Sequence, residues 1–209
     1  MLKLFALMYI LIAGFGFSEG IKYQGCYTDE DVSRDLPDVN SGGNDSDIQK
    51  CVDLCTFKAY KYAGLQGNMC YCGDSFGKYC KVDDSLCSIR CPGNDQQNCG
   101  GANKNSIYST NYLGCWKDSP TRDIRSFNSM PNSNATIQNC VALCRQNGYK
   151  YAGAQYFSQC FCDNRFGMYP ELERSSCSAT CRGNPQQKCG GVWANSVFDT
   201  QIDCGCFQP

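Results

Sequence analysis

The chain has 209 residues, with 20 acidic and 19 basic side chains and a formal charge of −1, and holds no run of five like charges. Nucleic acid and an anionic membrane surface are therefore not expected partners. It has 19 cysteines and no histidine, which removes the mixed Cys/His zinc sites and the usual general base of Ser–His and Cys–His nucleophilic chemistry.

In chain order, Lys3 precedes an apolar run from Leu4 to Phe17, with small residues at Gly14, Gly16 and Ser18. This reads as a signal peptide over residues 1–18, cleaved near Ser18–Glu19, with Gly16 and Gly20 as other candidate positions. The run is shorter than the ~20 residues a membrane-spanning helix needs, so the mature chain is expected to be secreted, extracellular and not membrane-inserted. Lys3 leaves with the leader, so 18 basic residues face 20 acidic ones. Residue types alone allow a Cys₄ zinc site. An oxidising compartment makes disulfides the expected fate, with no metal and no cofactor.

Ser46-Asp47-Ile48-Gln49 has the form of a capping box ahead of a helix through about Lys58. Cys51 and Cys55, four residues apart, share one face of that helix. Ala63 to Gln66 and Met69 to Gly73 are strand candidates around a Gly67-Asn68 turn, and Cys70 and Cys72 point to one side of the second strand. A helix face with two thiols and a strand face with two can be joined by neighbouring bridges, without deciding which takes which. The script then repeats, with Thr136 near a helix start, Cys140 and Cys144, then Cys160 and Cys162.

The repeat covers nearly the whole mature chain. Cys26, Cys51 and Cys55 recur 89 residues later as Cys115, Cys140 and Cys144. Cys70, Cys72, Cys87, Cys91 and Cys99 recur 90 residues later as Cys160, Cys162, Cys177, Cys181 and Cys189, the extra residue falling within Tyr156-Phe157-Ser158-Gln159. Lys61-Tyr62-Ala63-Gly64 returns as Lys150-Tyr151-Ala152-Gly153, and Cys99-Gly100-Gly101 as Cys189-Gly190-Gly191. Gly93-Asn94 and Gln96-Gln97 return as Gly183-Asn184 and Gln186-Gln187. Each copy is small enough to need covalent staples beside its core.

Gly-Cys-Tyr-Thr-Asp at 25–29, Cys-x₃-Cys at 51–55, Tyr-Ala-Gly-Leu-Gln at 62–66, Cys-Tyr-Cys-Gly at 70–73, and Cys-x₃-Cys-Pro-Gly-Asn followed by Cys-Gly-Gly resemble the WSC domain. This is the module of fungal cell-wall integrity sensors and kremen-type receptors. The resemblance spans 23–109 and 112–199, leaving a cysteine-containing tail at 200–209. It implies a small disulfide-rich α+β fold of two tandem modules related to PAN/apple domains, each a short helix packed on a small antiparallel sheet. It also implies the pairings Cys26–Cys87, Cys51–Cys70, Cys55–Cys72 and Cys91–Cys99, and Cys115–Cys177, Cys140–Cys160, Cys144–Cys162 and Cys181–Cys189. Cys80, Cys204 and Cys206 fall outside the pattern. One extra bridge from Cys80 to the tail is expected, and the odd cysteine left over can form a disulfide-linked dimer.

Asp29, Asp74, Asp118 and Asp163 sit at loosely repeated places, but spacing alone identifies no catalytic carboxylate pair, so the chain reads as non-enzymatic. Binding fits better, because sugars present hydroxyls and apolar C–H faces to amides and aromatic rings. The candidate ligand-binding residues are Tyr27, Asp29, Gln66 and Asn94 in the first copy. In the second they are Trp116, Asp118, Gln155, Tyr156, Asn184 and Trp193. Trp116 and Trp193 are the expected exposed anchors, while Tyr62, Tyr71, Tyr108, Tyr151 and Phe198 are expected in the core. Two copies on a short linker could hold a polymer bivalently. WSC resemblance points to polysaccharide or glycan of β-glucan type, with an extracellular protein partner as the alternative. Asn44-Asp45-Ser46 and Asn134-Ala135-Thr136 are glycosylation sequons, placing sugar on a rim that the ligand surface should avoid.

Overall fold

The computed structural model describes residues 21–201; the leader over 1–18, Cys204 and Cys206 lie outside the described residues. The first module runs β1 (Tyr23–Thr28), β2 (Asp38–Ser41), α1 (Ile48–Phe57), β3 (Tyr62–Gln66), β4 (Met69–Gly73), β5 (Lys81–Val82), β6 (Arg90–Cys91), β7 (Asn94–Asn98) and β8 (Lys104–Ser109). The second repeats it as β9 (Tyr112–Lys117), β10 (Ser126–Ser129), α2 (Ile137–Gln146), β11 (Tyr151–Gln155), β12 (Gln159–Asp163), β13 (Glu171–Leu172), β14 (Thr180–Cys181), β15 (Asn184–Lys188) and β16 (Ala194–Asp199). Each module is an antiparallel six-stranded sheet, ordered β2-β4-β3-β8-β1-β5 and β10-β12-β11-β16-β9-β13, with a separate small hairpin.

The helices form where local sequence and cross-links agree. Cys51, Val52, Cys55 and Thr56 are buried along one face of α1, the spacing of an apolar stripe. Asp47, not Ser46, is the N-cap: its carboxylate accepts from Lys50 N at 2.8 Å. Ser46 is buried and turned to another task, its carbonyl accepting from Gly93 N at 2.8 Å. In α2, Thr136 caps as expected, accepting from Asn139 N. A second cap comes from a distant strand, since the Gln97 and Gln187 side-chain carbonyls accept from Ile48 N and Ile137 N at 3.1 and 2.9 Å. The repeated Gln-Gln pair thus satisfies orphan helix donors.

Eight disulfides close this frame, in the pairing the family resemblance implies. Cys51–Cys70 and Cys55–Cys72 join α1 to β4, and Cys140–Cys160 and Cys144–Cys162 join α2 to β12. Cys80 is exposed and has no partner among the described residues, and Cys204 and Cys206, its expected partners, lie outside them. Repeated glycines mark close backbone approach. A Cβ on Gly100 would meet the Leu65 carbonyl oxygen at 2.1 Å, and one on Gly190 the Ala154 carbonyl at 2.3 Å.

The linker is two buried residues, Thr110 and Asn111. Thr110 Oγ1 donates to the Tyr60 carbonyl at 2.6 Å and its N–H to the Lys61 carbonyl at 2.9 Å. Ala59, at the end of α1, packs into the core of the second module beside Tyr112 and Phe198. The Arg174 guanidinium lies 4.0 Å from the Tyr60 ring centre and donates to Tyr60 Oη and Asp74 Oδ2, at 3.0 and 3.1 Å. Lys61 Nζ pairs with Glu171 at 2.6 Å. The modules are docked head to tail through this polar seam.

Two outcomes follow for stability. Removing Cys26–Cys87, which closes 61 residues, should cost about 4 kcal/mol, against about 2.6 kcal/mol for Cys91–Cys99, which closes 8; denaturant unfolding of the paired serine variants compares them. Arg174→Ala should lower stability by about 1 kcal/mol, its ion pair being half exposed and weak beside the ring contact. Faster independent tumbling of the two modules by NMR relaxation would accompany it.

Candidate aromatic pocket of the second module

The pocket is built on a buried carboxylate at the end of β9. The Asp118 side chain is fully buried, and accepts from Arg122 Nη1 at 2.5 Å, Gln155 Nε2 at 2.9 Å and Asp123 N at 3.1 Å. The Asp118 N–H donates to the Trp193 carbonyl at 2.8 Å. One residue thereby holds the loop that carries Arg122, the end of β11 and the turn that carries Trp193. A carboxylate this enclosed is stable only with such donors around it.

The Arg122 guanidinium lies over two rings, its central carbon 4.7 Å from the Phe161 centre and 4.9 Å from that of Trp193. Its Nη1 also donates to Gln155 Oε1 at 3.0 Å. Phe127, 55% exposed on β10, stands 5.2 Å from Phe161. Across the opening stand Tyr156, 47% exposed, and Trp193, 45% exposed. Arg122, Gln155, Tyr156, Gln159, Val192 and Trp193 line an open cavity of about 210 Å³. Ring faces and amides around a shallow basin are the surface a sugar ring requires, apolar area for its C–H face and donors and acceptors for its hydroxyls.

Backbone strain accompanies the rings. Trp193, Tyr156 and Phe157 have φ of 52°, 45° and 70°, a left-handed conformation that costs bulky residues about 1 kcal/mol or more each. The first module uses Gly67 at its hairpin tip and Asn103 (φ 52°) in the matching turn, residues that adopt it easily. The inserted residue of the second copy lies in this tip.

The first module keeps the base of the site and lacks its walls. Asp29 is buried and accepts from Arg34 Nη1 at 2.7 Å and Asp35 N at 2.9 Å. Arg34 also pairs with Asp31 and lies 4.9 Å from the Tyr71 ring. Burial pushes the Tyr71 phenol up, against the opposing pull of Arg34. Gln66, half buried, leaves its Nε2 without a partner.

Several expectations are corrected. Asp29 and Asp118 are buried scaffold, not ligand contacts, because their oxygens are occupied by Arg and backbone donors. Trp116 is half buried, edge-on to Phe166 at 5.1 Å, with Nε1 buried and unpartnered; it is not an exposed anchor, because its strand position faces the 163–167 loop. Tyr27 makes the same contact with Phe76. Asn94 and Asn184 accept from Gln96 N and Gln186 N, fixing their own turns outside the pocket. Of the aromatic residues expected in the core, Tyr71 and Phe198 are buried, whereas Tyr62, Tyr108 and Tyr151 are half buried. Gln155, Tyr156 and Trp193 do meet at one site.

Arg122, Phe127, Phe161 and Gln159 were not singled out in the sequence. Arg34-Asp35-Leu36 does recur as Arg122-Asp123-Ile124, but at an offset of 88, out of step with the cysteines. Asn44 and Asn134 are both exposed. In the second module the sequon turn is not remote from the pocket: Arg182 bonds Asn132 at 3.0 Å and lies 6.0 Å from the Phe157 ring, which packs against Tyr156. The sulfurs of Cys51, Cys55 and Cys70, and of Cys140, Cys144 and Cys160, lie close enough to share an ion, but all are in disulfides and offer no thiolate.

The family profile of the WSC domain matches residues 23–101 and 112–191. A WSC domain-containing protein of Arthroderma benhamiae is 31% identical over 222 residues, covering 84% of this chain and 24% of the relative. Xylosyltransferase oxt of Drosophila melanogaster is 40% identical over 97 residues, 43% of this chain and 10% of that protein. Human Kremen protein 1 is 34% identical over 96 residues, 44% of this chain and 20% of that protein. The chain spans about a quarter of the length of the Arthroderma relatives it matches.

Removing the buried carboxylate and removing an exposed wall should differ sharply. Asp118→Ala should cost about 3 kcal/mol, since it strands Arg122 and two further donors. Trp193→Asn, the residue of the first module, should leave stability within about 1 kcal/mol, the lost cation–π contact offset by relief at φ 52°. Thermal melting of both variants checks the contrast.

Proposed function

Because the chain belongs to the WSC domain family in both of its modules, we propose that it is a secreted, non-enzymatic carbohydrate-binding protein, and that the second module is its reader of polysaccharide. The observation carrying this reading is the juxtaposition of Trp193 and Tyr156, both about half exposed, with Arg122, Gln155 and Gln159 on one basin, with exposed Phe127 nearby against Phe161, over which Arg122 lies. Large rings held out to solvent at left-handed backbone positions are costly for folding alone, which argues for a ligand. A β-glucan-type polymer suits the basin, presenting successive apolar sugar faces to the strip from Phe127 to Trp193. The buried carboxylate is not placed for acid–base chemistry: its oxygens are bound by three protein donors.

Secretion is supported by the eight disulfides, which form and persist outside the reducing cytosol. No helix among the described residues is long and apolar enough to cross a membrane. The exposed sequons suit glycosylation at Asn44 and Asn134. The two modules are not equal partners in this reading, since Gly67 and Asn103 leave the first without walls; its part is to hold and orient the second.

Retention of the mature chain on insoluble glucan, xylan, chitin and cellulose tests the proposal. Binding to at least the glucan is expected, weakened about tenfold or more by Trp193→Asn or Phe127→Ser and unchanged by Trp116→Phe. No retention on any of the four would point instead to an extracellular protein partner.

A further inference from the structure

Charge is divided unevenly between the two modules. Residues 21–109 carry 9 basic and 12 acidic side chains, whereas residues 110–201 carry 9 basic and 6 acidic. The module that holds the exposed rings is thus the basic one. Part of its surplus lies at a second opening of about 280 Å³, lined by Arg125 and Arg165 with Phe166 and Met168 as apolar wall. Both arginines are exposed, and neither side chain has an acceptor among the described residues.

The two acids of this opening are engaged elsewhere. Asp123 is buried, and its oxygens accept from Gly167 N and Met168 N at 3.0 and 2.8 Å. The Asp163 oxygens accept from Arg125 N and Asn164 N at 3.3 and 2.7 Å. Backbone donors therefore occupy the carboxylates, which shape the loop, while the guanidinium forks stay without a carboxylate partner. The first module keeps the floor and lacks these cations. Asp35 accepts from Gly77 N and Lys78 N at 2.8 and 3.0 Å, just as Asp123 does one module later. Pro37 and Ser75 stand where the second module has Arg125 and Arg165. Lys78 stands in the place of Met168, but its ammonium is bonded to Ser33 Oγ.

The opening continues the aromatic basin. Arg122 lines the basin and lies over Phe161. Asp163 follows Phe161 by two residues on β12, so both face one side of the sheet. Phe127 is the partner of Phe161 across the β10–β12 ladder, and Arg125 comes two residues before it. A track thus runs from Trp193 over Arg122 and the two phenylalanine rings to Arg125 and Arg165. Rings along it suit the apolar faces of sugars, and planar guanidinium forks bind oxyanions through paired N–H bonds.

We propose that the Arg125–Arg165 opening is an anion subsite, taking the carboxylate or sulfate of an acidic polysaccharide whose neighbouring sugar rests on the aromatic basin. The inference rests on the polysaccharide reading of that basin and sets its preference among polymers, acidic over neutral.

One soluble β-glucan in three forms, unmodified, carboxymethylated and sulfated, tests the subsite by titration calorimetry of the mature chain. At least one charged form should bind about tenfold or more tightly than the unmodified glucan at low salt. That advantage should shrink toward ~1 M sodium chloride, and the form with the larger gain tells carboxylate from sulfate. Arg125→Gln combined with Arg165→Gln should abolish the advantage and leave binding of the unmodified glucan unchanged. Because both side chains are exposed and unpaired, the double variant should melt with the parent. Trp193→Asn, in contrast, should weaken all three. Equal affinity for the three forms overturns the inference and leaves the polysaccharide reader standing. An advantage that survives the double arginine variant also overturns it, since the module's overall positive charge would then be its source. Binding of none of the three overturns the inference and the glucan reading together.

Discussion

In each module a ten-residue helix is clamped to one strand by two adjacent disulfides, and this clamp sets the position of everything else. Cys51 and Cys55 lie one helical turn apart, and Cys70 and Cys72 point to one side of β4. Together they fix the helix in both translation and rotation against the sheet. A buried apolar face of four or five residues would hold a helix this short only weakly. With the clamp in place, β3, β8 and β1 add outward from β4, and the long bridge Cys26–Cys87 ties the far edge. Covalent closure carries a burden that a larger core bears in bigger domains.

A frame secured in this way leaves its loop tips free to diverge, and the two modules differ there most. Both keep the buried aspartate and its arginine, Asp29 with Arg34 and Asp118 with Arg122. The pair organises the loop after the first strand, since each carboxylate also accepts from the backbone N–H of the aspartate that follows its arginine. Above that common base, the first module carries Gly67 and Asn103 and the second carries Tyr156, Phe157 and Trp193. The scaffold is the same and the chemistry displayed at its tips is not.

The seam between modules shows how a two-residue linker can be ordered without a large interface. Thr110 and Asn111 are buried and bonded on both sides, so the joint has little freedom. Arg174 over the Tyr60 ring adds an oriented contact. Burial pushes the Tyr60 phenol up, opposed by the nearby guanidinium. The Tyr112 phenol, more deeply enclosed, is also pushed up by burial.

The repeat, the cysteine framework, both helices and the Gly67-Asn68 hairpin were legible in the sequence, because each is written in local spacing or in covalent chemistry that survives copying. Reading Ser46 as the cap missed by one residue, since a carbonyl contact to Gly93 from a distant loop decided its role. The site was less legible. Asp118 and Asp29 looked like surface carboxylates, and only the convergence of Arg122, Gln155 and Asp123 on one of them showed a buried hub. Trp116 and Trp193 are equally apolar as letters, yet strand register turns one toward Phe166 and a left-handed turn holds the other out to solvent. Arg122 escaped notice because its motif repeats at 88 residues while the cysteines repeat at 89 and 90. The sequence by itself determined the duplication and which cysteines face one another across helix and strand, while their exact pairing rested on the family resemblance. Which side chains are hidden and which are offered depended on contacts between residues far apart in the chain, and those exist only once the sheet has closed.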